Sequence, residues 1–125
     1  MPRLLIVEDE AHIATLLTTK FRNAGFEIAL ARDGHDGLEQ ATADEPDVIL
    51  LDVMLPKLDG YEVCRAIKAH YGAGAPPIIM LSARSQAADR QRGLAAGCDE
   101  YITKPFRPAD LLERVNALLH ERGAP

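Results

Sequence analysis

The chain of 125 residues is short of several things, and each shortage excludes a class of protein. It has two cysteines, Cys64 and Cys98, with no CxxC spacing and no neighbouring histidine pair, so two reduced thiols are expected rather than a disulfide framework or a zinc site. It has no apolar run near the roughly 20 residues that cross a bilayer. Met1-Pro2-Arg3 leads into a short apolar run without a small-residue cleavage pattern, so a secretory signal is not expected. A cytoplasmic protein with no membrane partner is the expectation. Positive charge is in deficit, 14 Lys and Arg against 19 Asp and Glu for a net charge of −5, which leaves no basic footprint for direct contact with nucleic acid. There is no GxxxxGK[ST], which excludes a P-loop nucleotide fold. Repeats, low-complexity stretches and internal linkers are absent as well.

What remains reads as one domain over residues 1–125, with 47% hydrophobic residues and enough length to bury a core. Three continuous apolar runs, Leu4–Val7, Val48–Leu51 and Ile78–Leu81, have strand length and end in polar residues, as strands buried on both faces do. Two partly alternating runs, Glu27–Ala31 and Glu100–Thr103, suit edge strands. Between them lie helical stripes: Ile13, Leu16, Leu17, Phe21 and Ala24; Val63, Ala66 and Ile67; Leu111, Leu112, Val115, Leu118 and Leu119. Gly25 and Gly97 sit where helix ends call for a left-handed residue, and Pro108 is placed to open the last helix, although Arg107 before it is a poor N-cap. Ser85–Ala96 has a narrow apolar face, as of a helix held loosely or presented to a partner. The tail Glu121–Pro125 reads as a frayed end or the start of a linker. The fold expected is α/β, a flavodoxin-like (βα)5 doubly wound parallel sheet with strand order 2-1-3-4-5.

In such sheets ligands bind beyond the carboxyl ends of the strands, where the order reverses. There the sequence places Glu8-Asp9-Glu10, Asp52, Ser82 and Thr103-Lys104-Pro105. Carboxylates gathered on a half-buried rim repel one another unless a cation joins them, and a hard ion such as Mg²⁺ suits oxygen ligands. Glu8, Asp9 and Asp52 carry −3, which Mg²⁺ with Lys104 balances. A carboxylate in a neutralised site can accept a phosphoryl group as an acyl phosphate, with the cation and Lys104 stabilising its oxygens and Ser82 donating a hydrogen bond. Taken singly, each piece has a plainer reading. The acids could complement a helix dipole, Asp52 could cap a turn, Lys104 could be a loop lysine and Ser82 could cap the next helix. Their joint placement favours the chemical reading.

The ordered motifs Leu5-Ile6-Val7-Glu8-Asp9-Glu10, Leu50-Leu51-Asp52-Val53-Met54-Leu55-Pro56, Leu81-Ser82-Ala83-Arg84 and Tyr101-Ile102-Thr103-Lys104-Pro105-Phe106 closely resemble response-regulator receiver domains over essentially the whole chain. The resemblance implies that Asp52 accepts a phosphoryl group from a histidine kinase or small phosphodonors and slowly loses it by hydrolysis, as a signalling switch rather than a turnover enzyme. It implies Mg²⁺ (or Mn²⁺) held by Asp9, Asp52, Glu8 directly or through water, and the Met54 carbonyl. Lys104, before a cis Pro105, would pair with the phosphoryl. Ser82 and the inward-turning Tyr101 would carry the switch, and the amides of Val53 and Ala83 would hold phosphoryl oxygens. The resemblance also implies that Met54 and Arg84 occupy positions that, in the family, tune the acyl phosphate's lifetime by controlling water access. His12 reads as a solvated residue in the first turn of a helix, and His35, His70 and His120 have no partners at useful spacing.

Asp89–Arg114 further resembles the OmpR/PhoB-type subclass of transcription regulators, whose members form homodimers through the fourth helix, fifth strand and fifth helix. The matching positions are Arg90 with Asp110, Glu100 with Arg114, and Asp99 with a usually basic position that is Asn116 here, around an apolar patch of Ala87, Leu94 and Leu112. The plainer reading is a solvated charged face, since exposed ion pairs contribute only about 0–1 kcal/mol each. A truncated transcription regulator is expected on this basis, in preference to a receiver that stands alone. Two rivals remain. A haloacid-dehalogenase-like phosphatase would need a second Asp where Met54 stands. A phosphate-independent pseudo-receiver would serve only as an interaction module, but such domains lose an acid or the lysine.

Overall fold

Five strands alternate with five helices in the computed structural model, which describes residues 1–121. The chain runs β1 (Arg3–Val7), α1 (Ala11–Asn23), β2 (Glu27–Ala31), α2 (Gly34–Asp44), β3 (Val48–Asp52), α3 (Gly60–Tyr71), a 3₁₀ turn at Gly72–Gly74, β4 (Ile78–Ser82), α4 (Ala87–Ala95), β5 (Glu100–Thr103) and α5 (Pro108–Glu121). The strands form one parallel sheet in the order β2-β1-β3-β4-β5, as expected. The expected linker or frayed end from 122 onward lies outside the described residues.

Apart from Arg3, Asp52 and Ser82 at their ends, the central strands are apolar because successive side chains enter different cores. Leu4, Ile6, Leu50, Ile79 and Leu81 pack with Leu17 and Phe21 of α1 and Leu111 and Val115 of α5. Leu5, Val7, Ile49, Leu51 and Met80 pack on the opposite face with Ala41 of α2 and Tyr61, Val63 and Ile67 of α3. Each fully buried side chain of this size contributes roughly 1.5–3 kcal/mol, so the sheet is held firmly from both sides.

Three details differ from the sequence reading or sharpen it. In α1 the inward positions are Ala14, Leu17 and Phe21, while Leu16 and Ala24 face outward. With Ala14, Leu17 and Phe21 facing the sheet, the helical period of 3.6 residues leaves Leu16 on the outer side. Helix α2 shows no large apolar stripe because its inward face is Gly34, Gly37 and Ala41. Helix α4 buries only Gly93 and is instead fastened by charge on aromatic faces, with Arg90 over the Tyr101 ring and Arg92 over the Tyr61 ring at 5.4 and 4.3 Å. Gly25 and Gly97 take positive φ after α1 and α4, as the helix ends require. Cys64 and Cys98 are free and buried, and burial pushes their thiols up to about 12 and about 11.

Candidate functional site

The register of the sheet decides what meets at its carboxyl rim. Val7 lies beside Leu51 and Asp52 beside Leu81, so Glu8 and Asp52 leave adjacent strands at the same level. Ser82 lies beside Thr103, which brings Lys104 over the rim from the far side. The polar or charged residues that are buried, among those described, are Glu8, Asp52 and Ser82, and all three stand here. An interior that buries polar groups only at one end has a chemical reason for that end.

Lys104 binds the two buried acids together. Its Nζ lies 3.1 Å from Glu8 Oε1 and 3.3 Å from Asp52 Oδ2. The second oxygens are used by the backbone, since the Glu10 amide donates to Glu8 Oε2 at 3.2 Å and the Met54 amide to Asp52 Oδ1 at 3.3 Å. Gly60, the first residue of α3, is pressed against the end of β3. A Cβ there would stand 2.4 Å from the Asp52 carbonyl oxygen, so only glycine lets the helix start so close to the acid.

Two buried acids share one lysine, and the imbalance shows in their protonation. Burial first, then the hydrogen bond and charge of Asp52, raise the Glu8 carboxyl from 4.5 to about 7. For Lys104 burial works against the charged form, but Asp52 and Glu8 outweigh it and hold the ammonium above its ordinary value. Asp9, exposed, completes a trio with Glu8 and Asp52 whose carboxylate oxygens lie within 4.8 Å of one another, a set that could hold a metal ion. Three formal negative charges against one positive make a cation the natural fourth member.

Ser82 is fully buried and its Oγ accepts from the Arg84 amide at 3.0 Å. Tyr101 lies inward, 4% exposed, its hydroxyl donating to the Arg84 carbonyl at 2.9 Å. Ala83 follows Ser82 and is exposed, and the Lys104–Pro105 peptide is cis. The Val53 amide donates to the Leu81 carbonyl at 3.1 Å, continuing the β3–β4 ladder by one residue, so the amide facing Asp52 is that of Met54. Beside the acids lies an open groove of about 430 Å³ lined in part by Asp9, Met54, Tyr61, Arg84 and Arg92.

The residues expected on a dimer face are less free than the sequence suggests. Glu100 accepts from Arg114 Nε at 2.8 Å within the same chain. Asp99 Oδ2 accepts from Lys68 Nζ at 3.1 Å and from the Ile78 amide at 2.8 Å, so it locks α3 to the start of β4 rather than waiting for a base near Asn116. Arg90 Nη1 donates to the Tyr101 carbonyl at 2.8 Å. Ala87, Leu94, Asp110 and Asn116 are exposed and Leu112 is half-buried. His12, His35, His70 and His120 are all exposed. Two residues were missed from sequence: Arg32, whose guanidinium reaches the Asp9 backbone, and Tyr61, buried beside the groove. Arg32 carries a readable signal, because it too follows the carboxyl end of a strand.

The profile of the response regulator receiver domain matches residues 4–116. The chain belongs to the response regulator receiver family. Curated relatives include the transcriptional regulatory protein PrrA of Mycobacterium tuberculosis, 45% identical over 98% of this chain and 52% of that protein. The alkaline phosphatase synthesis transcriptional regulatory protein PhoP of Bacillus subtilis is 43% identical over 94% of this chain and 48% of that protein. The receiver chain thus spans about half the length of the curated relatives it matches. Among solved structures, the receiver domain of the Francisella response regulator 1452 superposes with a TM-score of 0.91 at 34% identity, over 98% of this chain and 99% of that one. The BeF3-activated receiver domain of DrrB gives 0.87 at 33%, over 96% and 98%. No helix among the described residues of this receiver is long and apolar enough to cross a membrane.

Proposed function

We propose that this receiver, one domain over residues 1–125, is a phosphorylation-dependent switch that takes a phosphoryl group from a histidine kinase, or a small phosphodonor, onto Asp52. The observation that carries the reading is the confinement of the buried polar side chains to one rim, with Lys104 bridging two of them. A carboxylate oxygen of Asp52 attacks phosphorus through the open groove, the bond from phosphorus to the donor breaks, and the donor leaves with that electron pair. Lys104, held charged, stays against the new phosphoryl oxygens as the carboxylate charge it faced is spent. The Ser82 hydroxyl, which uses only an acceptor lone pair on Arg84, keeps its hydrogen to donate to the phosphoryl. The Met54 amide already points at the acceptor, and the Ala83 amide lies next to Ser82 in sequence.

The donor set fits Mg²⁺, or Mn²⁺: three carboxylates within reach of one another, a Glu8 carboxyl that burial and then neighbouring Asp52 hold up at about 7, and no soft ligand. Asp9, Asp52, Glu8 directly or through water, and the Met54 carbonyl would hold it, and when bound it would offset the negative charge of the incoming phosphoryl. Ser82 and Tyr101 carry the change outward, since both are tied to Arg84, one through its amide and the other through its carbonyl. The responding face is α4, β5 and α5, and the output is homodimer formation or control of an effector, transcription regulation in a longer chain. This domain itself makes no direct nucleic acid contact.

The test is mass spectrometry after incubation with Mg²⁺ and acetyl phosphate. An adduct of ~80 Da is expected on the wild type and absent from Asp52→Ala. A wild type that stays unmodified would instead mark a phosphate-independent interaction module.

A further inference from the structure

We propose that Arg32 is a positioning residue for the divalent-cation site, acting through the main chain of Asp9; the inference rests on the acceptor-site reading above. Asp9 lies in the short connection between β1 and α1, where the chain belongs to neither element and its carbonyl cannot join a ladder or a helix. Among the described residues no backbone N–H reaches that carbonyl, and its partner is Arg32 Nη2 at 2.8 Å. The same turn grips this connection at a second point, since the Glu8 amide donates to the carbonyl of Ala31 at 3.0 Å. The turn after β2 also holds the connection on the other side of the acceptor. The Gly34 amide donates to the Pro56 carbonyl at 3.2 Å, and Asp33 pairs with Lys57 at 3.4 Å while capping α2 through the Asp36 amide. Residues 31–34 therefore clamp both the acid-bearing turn and the turn that follows Asp52. Arg32 is the member that bears on Asp9, the exposed acid of the trio.

Two influences of Arg32 on a cation have opposite signs, which makes the role testable. Its charge near the acids repels a divalent ion, so if charge were all, removing it would tighten binding. Its hydrogen bond fixes the turn that aims Asp9, so if positioning dominates, removing it loosens binding; supporting groups of this kind change metal affinity by about 10-fold to 100-fold, and an exposed one is expected near the lower end.

The full chain is titrated with Mg²⁺ alone by calorimetry, and urea midpoints in chelator check the fold. Arg32→Met, which keeps length but neither charge nor donor, is expected to bind Mg²⁺ about tenfold more weakly with an unchanged urea midpoint. Arg32→Lys, which can still donate to the carbonyl, is expected to recover most of the loss. The adduct rate with acetyl phosphate should return to the wild-type value at saturating Mg²⁺, so that the half-saturating concentration moves and the maximal rate does not. Binding by Arg32→Met equal to or tighter than the wild type overturns the inference and leaves Asp52 as acceptor untouched. A wild type that binds no Mg²⁺ overturns the acceptor-site reading, and the inference with it.

Discussion

Glu8 has 1% of its surface exposed and a carboxyl that keeps its proton to about pH 7. The folded chain therefore holds that proton more tightly than the unfolded one, whose carboxyl titrates near 4.5. The stability this gives is complete below about pH 4.5 and is lost as the pH climbs through about 7. In chelator, the wild type is expected to lose stability between pH 5 and pH 8, on the order of 2–3 kcal/mol more than Glu8→Gln, in urea titrations of both proteins. Mg²⁺ should reverse the trend, because binding it displaces the proton. Equal pH slopes for the two proteins would remove Glu8 from the acidic pair. At this scale the sequence was legible wherever a side chain ends a strand or directly follows one: Asp52 and Ser82 close β3 and β4, and Glu8 and Lys104 follow β1 and β5. That the Met54 amide faces the Asp52 carboxylate was not legible. Which amide is free depends on where the β3–β4 ladder stops, and one further hydrogen bond, Val53 to Leu81, decides it.

Among the elements, α4 is the one whose attachment depends least on apolar burial. Its one buried residue, Gly93, faces the Tyr101 ring and Met80, and a Cβ there would stand 2.7 Å from Tyr101 Cδ1 and 3.1 Å from Met80 Sδ. Gly93→Ala is expected to cost about 1–3 kcal/mol in thermal or urea unfolding and to displace the Tyr101 ring, visible as shifted ring resonances in NMR spectra. Unchanged ring signals would show that the contact has slack. The weakness of this helix was readable from its diluted apolar face, whereas its fastening was not, because Arg90 and Arg92 look like ordinary surface charge until Tyr101 and Tyr61 are placed beneath them. Helix α2 escaped the periodicity for a related reason: glycine and alanine pack closely against a sheet without leaving a strong apolar signature.

Taken whole, the molecule has a sheet whose two faces are sealed by different helices and whose buried polar side chains, among the described residues, gather at one rim. That arrangement was legible because three unbroken apolar runs of strand length suit central strands, the two alternating runs suit the edges, and a doubly wound fold then gives the order. The behaviour of the α4–β5–α5 face was not, because the charges expected to bridge two copies find partners inside one. The proposed dimer of the phosphorylated form would then require the Glu100–Arg114 bond to be exchanged for one across the interface. Sedimentation of the Mg²⁺ and acetyl phosphate sample is expected to show a dimer for the wild type, a monomer for Arg114→Glu, and recovery in an equimolar mixture of Arg114→Glu with Glu100→Arg. A dimer that survives Arg114→Glu would place the contact elsewhere.

The sealing of Cys64 and Cys98 has a practical side. Both sulfurs sit in the core between the sheet and α3, and at neutral pH almost none of either is thiolate, the form that attacks maleimides. A single cysteine introduced at the exposed Leu94 would thus outcompete both native ones for a fluorophore. The response proposed for α4 could then be followed by fluorescence with the two natural sulfurs left in place.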